Sequence, residues 1–78
     1  MKLYIISQSV NRWYDTYDSA VVAAESEDDA RDIHPYGEWP KIYCKDWVAK
    51  EEKHLVEVLY IGETNQPRGA ILASFNAG

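Results

Sequence analysis

Hydrophobic residues along the chain form four short runs that are separated by polar segments. Each run is rich in β-branched or aromatic residues and is short enough for a β-strand. The predicted strands cover residues 2–7, 19–25, 54–62 and 69–76. The polar residues 63–68 between the last two runs include Pro67 and predict a turn.

One short helix is predicted between the second and third strands. Ser26 is a suitable N-cap, and the acidic residues that follow it lie where the helix dipole favours negative charge. Pro35 disfavours helical angles at His34, so the predicted helix covers residues 27–33. The order β-β-α-β-β predicts an α+β fold with one short helix and a mostly antiparallel four-stranded sheet, in which successive strands pair as hairpins.

The last two predicted strands carry apolar side chains on both faces. In the third strand Val56, Val58 and Tyr60 share one face, while Leu55, Leu59 and Ile61 share the other; the last strand has Leu72 on one face and Ile71 with Phe75 on the other. A half-exposed sheet is normally polar on one face, and so short a helix covers only part of one face. Either the aromatic segment 36–47 or a second copy of the chain therefore covers the second face. A homo-oligomer is the more economical expectation, because symmetric assemblies are common.

Composition and charge limit the classes of protein to be considered. The 78 residues allow a single domain, 1–78. Thirteen acidic against eight basic residues give a net charge of -5, which disfavours direct binding to nucleic-acid phosphates. No apolar run approaches the roughly 20 residues of a membrane span, so no membrane association is expected. Cys44 is the only cysteine, which excludes an intrachain disulfide and favours a reducing, cytoplasmic location.

The segment 8–18 is the first candidate for a binding site. It has no helical period, and its eleven residues exceed the usual hairpin connection of about two to five, which is often a sign of function. Its candidate ligand-binding residues are Asn11, Arg12, Tyr14, Asp15, Tyr17 and Asp18. Aromatic rings would stack a base, carboxylates would accept hydrogen bonds from ribose hydroxyls, and the arginine would bind a phosphate. In the alternative interpretation the tyrosines pack on the core and the aspartates form turns.

Trp39 completes the candidate ligand-binding residues, either stacking a base or filling the small core. The same irregular stretch begins at His34, whose protonated form the dipole at the helix C-terminus would stabilise.

Catalysis has little support in the sequence. A Cys44 nucleophile would need His34 or His54 beside it, and no third group that would position them can be identified. Two histidines and one cysteine do not have metal-ligand spacing, and Asp15 and Asp18 lack the oxygen-rich frame of a calcium loop. No glycine-rich phosphate loop occurs. We therefore expect no enzymatic activity, no metal and no cofactor.

Two segments resemble a family of small uncharacterised tailed-phage proteins. They are Tyr-Asp-Thr-Tyr-Asp-Ser-Ala-Val-Val-Ala-Ala at 14–24 and Ala-Ser-Phe-Asn-Ala-Gly at 73–78, with shorter matches at 6–8, 30–31, 34–35 and 61–62. The resemblance implies a phage origin and carries no established activity. In size and expected assembly the chain is also similar to phage nucleotide-signal sponges, which hold ADP-ribose derivatives or cyclic dinucleotides without cleaving them.

Two functions follow as expectations. The first is an anti-defence protein that sequesters a nucleotide-derived immune signal in the host cytoplasm without cleaving it. The second is an inhibitor that binds a host protein, in the extreme as an acidic mimic of nucleic acid, because five of the 13 acidic residues lie within 25–32. The first is favoured by the aromatic and acidic loop, by the expected homo-oligomer and by the lack of catalytic groups.

Overall fold

A computed structural model describes residues 1–12, 14–37, 39 and 45–76. The described chain contains four strands, one short α-helix and one 3₁₀ helix. In chain order these are β1 (Lys2–Ser7), β2 (Thr16–Ala24), α1 (Glu27–Arg31), the 3₁₀ helix (Lys50–Leu55), β3 (Glu57–Glu63) and β4 (Gly69–Asn76). The strands form one antiparallel sheet in the order β3-β1-β2-β4, so the expected four-stranded antiparallel sheet is confirmed.

The pairing of successive strands is confirmed only for β1 and β2. Strands β3 and β4 lie at opposite edges, β3 beside β1 and β4 beside β2. The predicted turn is instead a connection that passes the ends of both central strands. Six Cα–Cα steps reach about 20 Å, which is enough for the roughly 14 Å across three strand spacings. The Thr64 N–H donates to the Met1 carbonyl (2.9 Å) and Arg68 Nε donates to Asp29 Oδ1 (2.7 Å), which fixes this crossing.

Several predicted boundaries were wrong by two or three residues. Strand β2 begins at Thr16, because Thr16 and Tyr17 pair with the end of β4, so the loop after β1 is shorter than predicted. Helix α1 ends at Arg31, and β3 begins at Glu57, because the preceding residues form the 3₁₀ helix.

The core lies on one face of the sheet, beneath α1 and the segment 45–56. Side chains of the two central strands meet those of the covering segments there. The buried cluster consists of Tyr4, Ile6, Ala20, Val22, Ala24, Ala30, Ile33, Trp47, Val48 and Val56. No helix among the described residues is long and apolar enough to cross a membrane.

The opposite face of the sheet is open and apolar. The strand register aligns Leu59, Ile5, Val21 and Leu72 in one row that crosses all four strands. The two outer residues of this row are Leu59, which is 61% exposed, and Leu72, which is 69% exposed. We call this surface the open face.

The aromatic segment 36–47 was one of the two expected covers for the second face. Its described tryptophans, Trp39 and Trp47, instead pack with the core cluster beneath α1. Residues 38 and 40–44 of the segment lie outside the described residues.

Candidate functional site

The loop between β1 and β2 is organised around Gln8, which is buried. Its side-chain Nε2 donates to the carbonyls of Asn11 (2.6 Å) and Tyr17 (2.9 Å), and its Oε1 accepts the N–H of Asn11 (2.7 Å). The Gln8 backbone N–H donates to the Asp18 carbonyl (3.2 Å). One amide side chain therefore satisfies the backbone on both sides of the loop, which holds the loop against the sheet.

Asn11 connects this loop to the segment that covers the core. Its Nδ2 donates to the carbonyls of Lys45 (2.7 Å) and Trp47 (3.2 Å). Its Oδ1 is buried and has no hydrogen-bond partner among the described residues. A buried amide oxygen without a partner is costly, so it marks a place where a ligand donor would be stabilised.

Three of the seven predicted site residues line one small cleft. The cleft has a volume of about 280 Å³ and is lined by Gln8, Asn11, Arg12, Thr16 and Asp18. Arg12 and Asp18 are exposed, so the cleft presents a guanidinium and a carboxylate to solvent. We call it the loop cleft. The cleft thus combines a cationic, a carboxylate, an amide and a hydroxyl side chain. This combination suits a polar ligand that carries an anionic group and several hydroxyls.

Tyr14 and Asp15 form the turn that leads into β2. Asp15 has a φ of 61°, a left-handed conformation that aspartate tolerates better than most residues, so the turn chemistry is a sufficient reason for its presence. Tyr14 is 73% exposed, and its ring is open to a stacking partner. Trp13 lies outside the described residues.

Tyr17 and Trp39 do not line the loop cleft. Tyr17 packs edge-on against His34 (ring centroids 6.3 Å apart) and Phe75 (4.8 Å), and Trp39 packs edge-on against His34 (5.4 Å). Trp39 Nε1 also donates to the Val48 carbonyl (3.1 Å). Both rings border the core, as the packing interpretation expected, because a core with few aliphatic side chains needs large rings to fill it.

His34 is a buried structural residue. The Tyr36 N–H donates to His34 Nδ1 (3.0 Å), so Nε2 carries the proton and faces Asp46 Oδ1 (3.1 Å). Burial lowers the pKa of His34 below its usual value, and Asp46 offsets that lowering only in part. The imidazole is 1% exposed and accepts a backbone N–H, so packing and hydrogen bonding account for its position after α1.

Trp39 lines a second cleft, of about 430 Å³, with Asp32, Gly37, Lys50 and Lys53. This cleft shares no lining residue with the loop cleft. Lys53 Nζ forms an ion pair with Asp32 Oδ1 (2.5 Å), so its charge is largely neutralised there. Lys50 and Lys53 have no signal in the sequence, since single lysines near a 3₁₀ helix belong to no motif.

Sequence reasoning also missed two residues of the loop cleft, Gln8 and Thr16. Both residues lie in the candidate segment 8–18, but Gln8 directly follows a predicted strand and Thr16 lies three residues before the next one. Neither residue type indicates a binding role by itself. Their role depends on the hairpin that brings the two strand ends together.

The described residues define a small antiparallel-sheet protein with an open apolar face and two separate polar clefts, of which the loop cleft contains three of the predicted site residues. Comparison with known protein families, curated proteins and solved structures finds no match to the chain. No cluster of three or more potential metal ligands occurs among the described residues.

Proposed function

We propose that the protein binds a nucleotide-derived signal, an ADP-ribose derivative or a cyclic dinucleotide, and sequesters it without cleaving it. We further propose that this activity serves a phage in countering a host defence, and the sequence resemblance to small tailed-phage proteins supports this part of the proposal. The loop cleft supports the proposal, because it combines the exposed Arg12 and Asp18 with Asn11 Oδ1, an acceptor that has no partner within the described part of the chain.

Each part of such a ligand has a complementary group in or beside the loop cleft. Arg12 pairs with a phosphate, since a guanidinium donates two parallel hydrogen bonds to phosphate oxygens. Asp18 and Asn11 Oδ1 accept hydrogen bonds from ribose hydroxyls, and Tyr14 at the turn stacks a base. Tyr17 and Trp39 are left out of the proposed site because their rings pack against the core.

The size of the loop cleft limits how much of the ligand it holds. Ligand pockets are typically about 300–1,000 Å³, so a cleft of about 280 Å³ takes one phosphoribosyl unit. The remainder of the ligand then extends over the turn towards Tyr14. Such a binding mode is weakened by loss of either the cation or the exposed ring.

The acidic-mimic alternative is less well supported. Asp28 pairs with Arg31 (3.4 Å), Asp29 with Arg68 (2.7 Å) and Asp32 with Lys53. A mimic of a phosphate backbone needs unpaired carboxylates in a row. Three of the helix carboxylates instead have basic partners within the chain.

Isothermal titration of ADP-ribose and of a cyclic dinucleotide tests the proposed function. Tyr14→Ala is expected to weaken binding about tenfold or more, because stacking on an aromatic ring contributes about 1–3 kcal/mol per base. Tyr36→Ala is the matched control: Tyr36 is 78% exposed, close to the 73% of Tyr14, and does not line the loop cleft. Arg12→Gln is expected to weaken binding and reduce its salt dependence.

Chromatography of the recovered ligand tests the second half of the proposal, which expects an unchanged compound. Wild-type protein that binds neither ligand contradicts the function. Unaltered affinity in both Tyr14→Ala and Arg12→Gln contradicts the site. A shortened or hydrolysed ligand contradicts sequestration.

A further inference from the structure

We propose that the open face is the interface of a homodimer, in which two copies of the chain pack sheet against sheet. The row of Leu59, Ile5, Val21 and Leu72 crosses the whole sheet on this face. Its outer leucines are largely exposed although the strands that carry them are ordered parts of the sheet. Exposed contiguous aliphatic surface of this kind is unfavourable in water and marks an interaction site.

The size of the open face matches what a small stable dimer needs. Four strands at the usual spacing and six residues of strand length give about 19 by 20 Å, or about 400 Å² in projection. Protruding side chains have a larger accessible area than their projection. Each copy therefore contributes close to the roughly 600 Å² per partner at which the smaller specific interfaces begin.

The distribution of charge favours a second copy over an oppositely charged partner. Two copies of a chain with a net charge of -5 repel each other unless they meet on an uncharged surface. The strand register places small or aliphatic residues on the open face: Leu3, Ile5, Ser7, Ser19, Val21, Ala23, Leu59, Leu72 and Ser74. Glu57, opposite Ser7 at the edge, is the charged residue that shares this face within the paired part of β3.

The open face is also self-complementary in shape. A groove of about 380 Å³ runs along β2 and β4, and Ile5, Val21 and Leu72 line it. A two-fold axis parallel to the strands places β3 of one copy over β4 of the other. Leu59 of each copy then lies over the groove of its partner, and the same contact occurs twice, as in an isologous interface. Two sheets packed in this way lie about 10 Å apart, which is the usual thickness of a sandwich core.

Light scattering coupled to size-exclusion chromatography tests the dimer. Wild-type protein at about 50 µM, where interfaces of this size persist, is expected at about twice the chain mass of 9.0 kDa. Leu59→Lys and Leu72→Lys are each expected to halve that mass. Each substitution places two charges inside the interface of the dimer, one from each copy. Both side chains are largely exposed in one copy, so circular dichroism is expected to show an unchanged fold.

Tyr36→Lys is the matched control, since it places a lysine at another largely exposed hydrophobic position, outside the sheet, and it is expected to leave the dimer intact. Two separate substitutions are needed because β3 and β4 are opposite edges. Face-to-face packing predicts that both disrupt the dimer, whereas edge-to-edge pairing through one strand predicts that only one does. A monomeric wild type overturns the proposal. A dimer that persists in either the Leu59→Lys or the Leu72→Lys variant also overturns it. The same holds if the measured mass is that of one copy bound to a different, co-purifying protein.

Discussion

Gln8 and Asn11 are joined by two reciprocal hydrogen bonds. Gln8 Nε2 donates to the Asn11 carbonyl (2.6 Å), and the Asn11 N–H donates to Gln8 Oε1 (2.7 Å). The pair closes the loop after β1, and both residues line the loop cleft. The Gln8 side chain therefore supports both the stability of the loop and the shape of the cleft.

Replacement of Gln8 with Leu is expected to lower the free energy of unfolding by about 2 kcal/mol. The substitution keeps the apolar stem but leaves the Asn11 N–H and two carbonyls without their partner. Urea denaturation measures the loss, and Gln66→Leu, at an exposed position in the β3–β4 connection, is the control. Equal stability of the two variants would contradict the role given to Gln8.

Stability is expected to fall on mild acidification because of His34. The pKa of His34 is lowered in the folded state, so between the unfolded value of about 6.5 and the lower folded value the unfolded chain binds more protons. The contribution of the neutral imidazole is therefore present above pH 6.5 and is lost as the pH falls through that window. Urea midpoints at pH 7.5 and 5.5 measure it.

The control for this pH dependence is the second histidine. His54→Gln, at an exposed position, is expected to keep the difference between the two midpoints, whereas His34→Gln is expected to reduce it. The same difference in both variants would show that other groups produce the dependence.

Asp29→Ala is expected to cost more stability than Arg68→Ala. Asp29 Oδ2 accepts the N–H of Glu25 (2.9 Å), the residue before the N-cap Ser26, and Oδ1 accepts from Arg68. Its loss therefore removes a hydrogen bond at the start of the helix and an ion pair, about 1–2 kcal/mol together. Loss of Arg68 removes only a half-exposed partner, less than about 1 kcal/mol. Thermal denaturation of both variants checks the order, and the reverse order would contradict it.

The pKa of Asp29 adds a pH dependence of its own. Burial disfavours the carboxylate, but the Glu25 N–H and Arg68 outweigh burial and hold the pKa below its usual value. Its stabilising contribution is therefore present above about pH 3.9 and is lost as the pH falls through the lowered folded value. This window lies below that of His34, so the two effects are separable.

Trp39→Phe is expected to lower stability by about 1 kcal/mol and to leave nucleotide affinity unchanged. The variant keeps an aromatic ring beside His34 but removes the hydrogen bond to the Val48 carbonyl. Denaturation and the titration described above measure the two quantities, with Tyr36→Phe as the control. A tenfold loss of nucleotide affinity at unchanged stability would contradict this and show that Trp39 contacts the ligand.

Local patterns were enough to predict the four strands and α1, but not the 3₁₀ helix. The alternation and β-branched content identified β1 and β4 with their observed bounds, and Ser26 with the acids after it located α1. These features depend on backbone propensity and on capping, which act over a few residues. The existence of an antiparallel sheet followed from the same short-range information.

The candidate site was predicted only in part. The structure brings three of the predicted residues to one cleft: Asn11, Arg12 and Asp18. Tyr17 and Trp39 instead pack against His34, and nothing in the sequence indicates that this histidine is buried between aromatic rings. An aromatic residue has the same sequence signature whether it stacks a ligand or fills a core. Burial by residues far away in the chain makes the difference.

The sequence by itself determined which segments are strands, where the helix begins, and that both sheet faces are apolar. Tertiary structure alone decided that β3 and β4 lie at opposite edges, which aligns one aliphatic row across the sheet: Leu59, Ile5, Val21 and Leu72. It also decided that α1 and the segment 45–56 cover the other face. The physical reason is range. Propensity and capping act between neighbours in the chain, whereas strand order and the choice of covered face depend on which distant apolar surfaces bury the most area together.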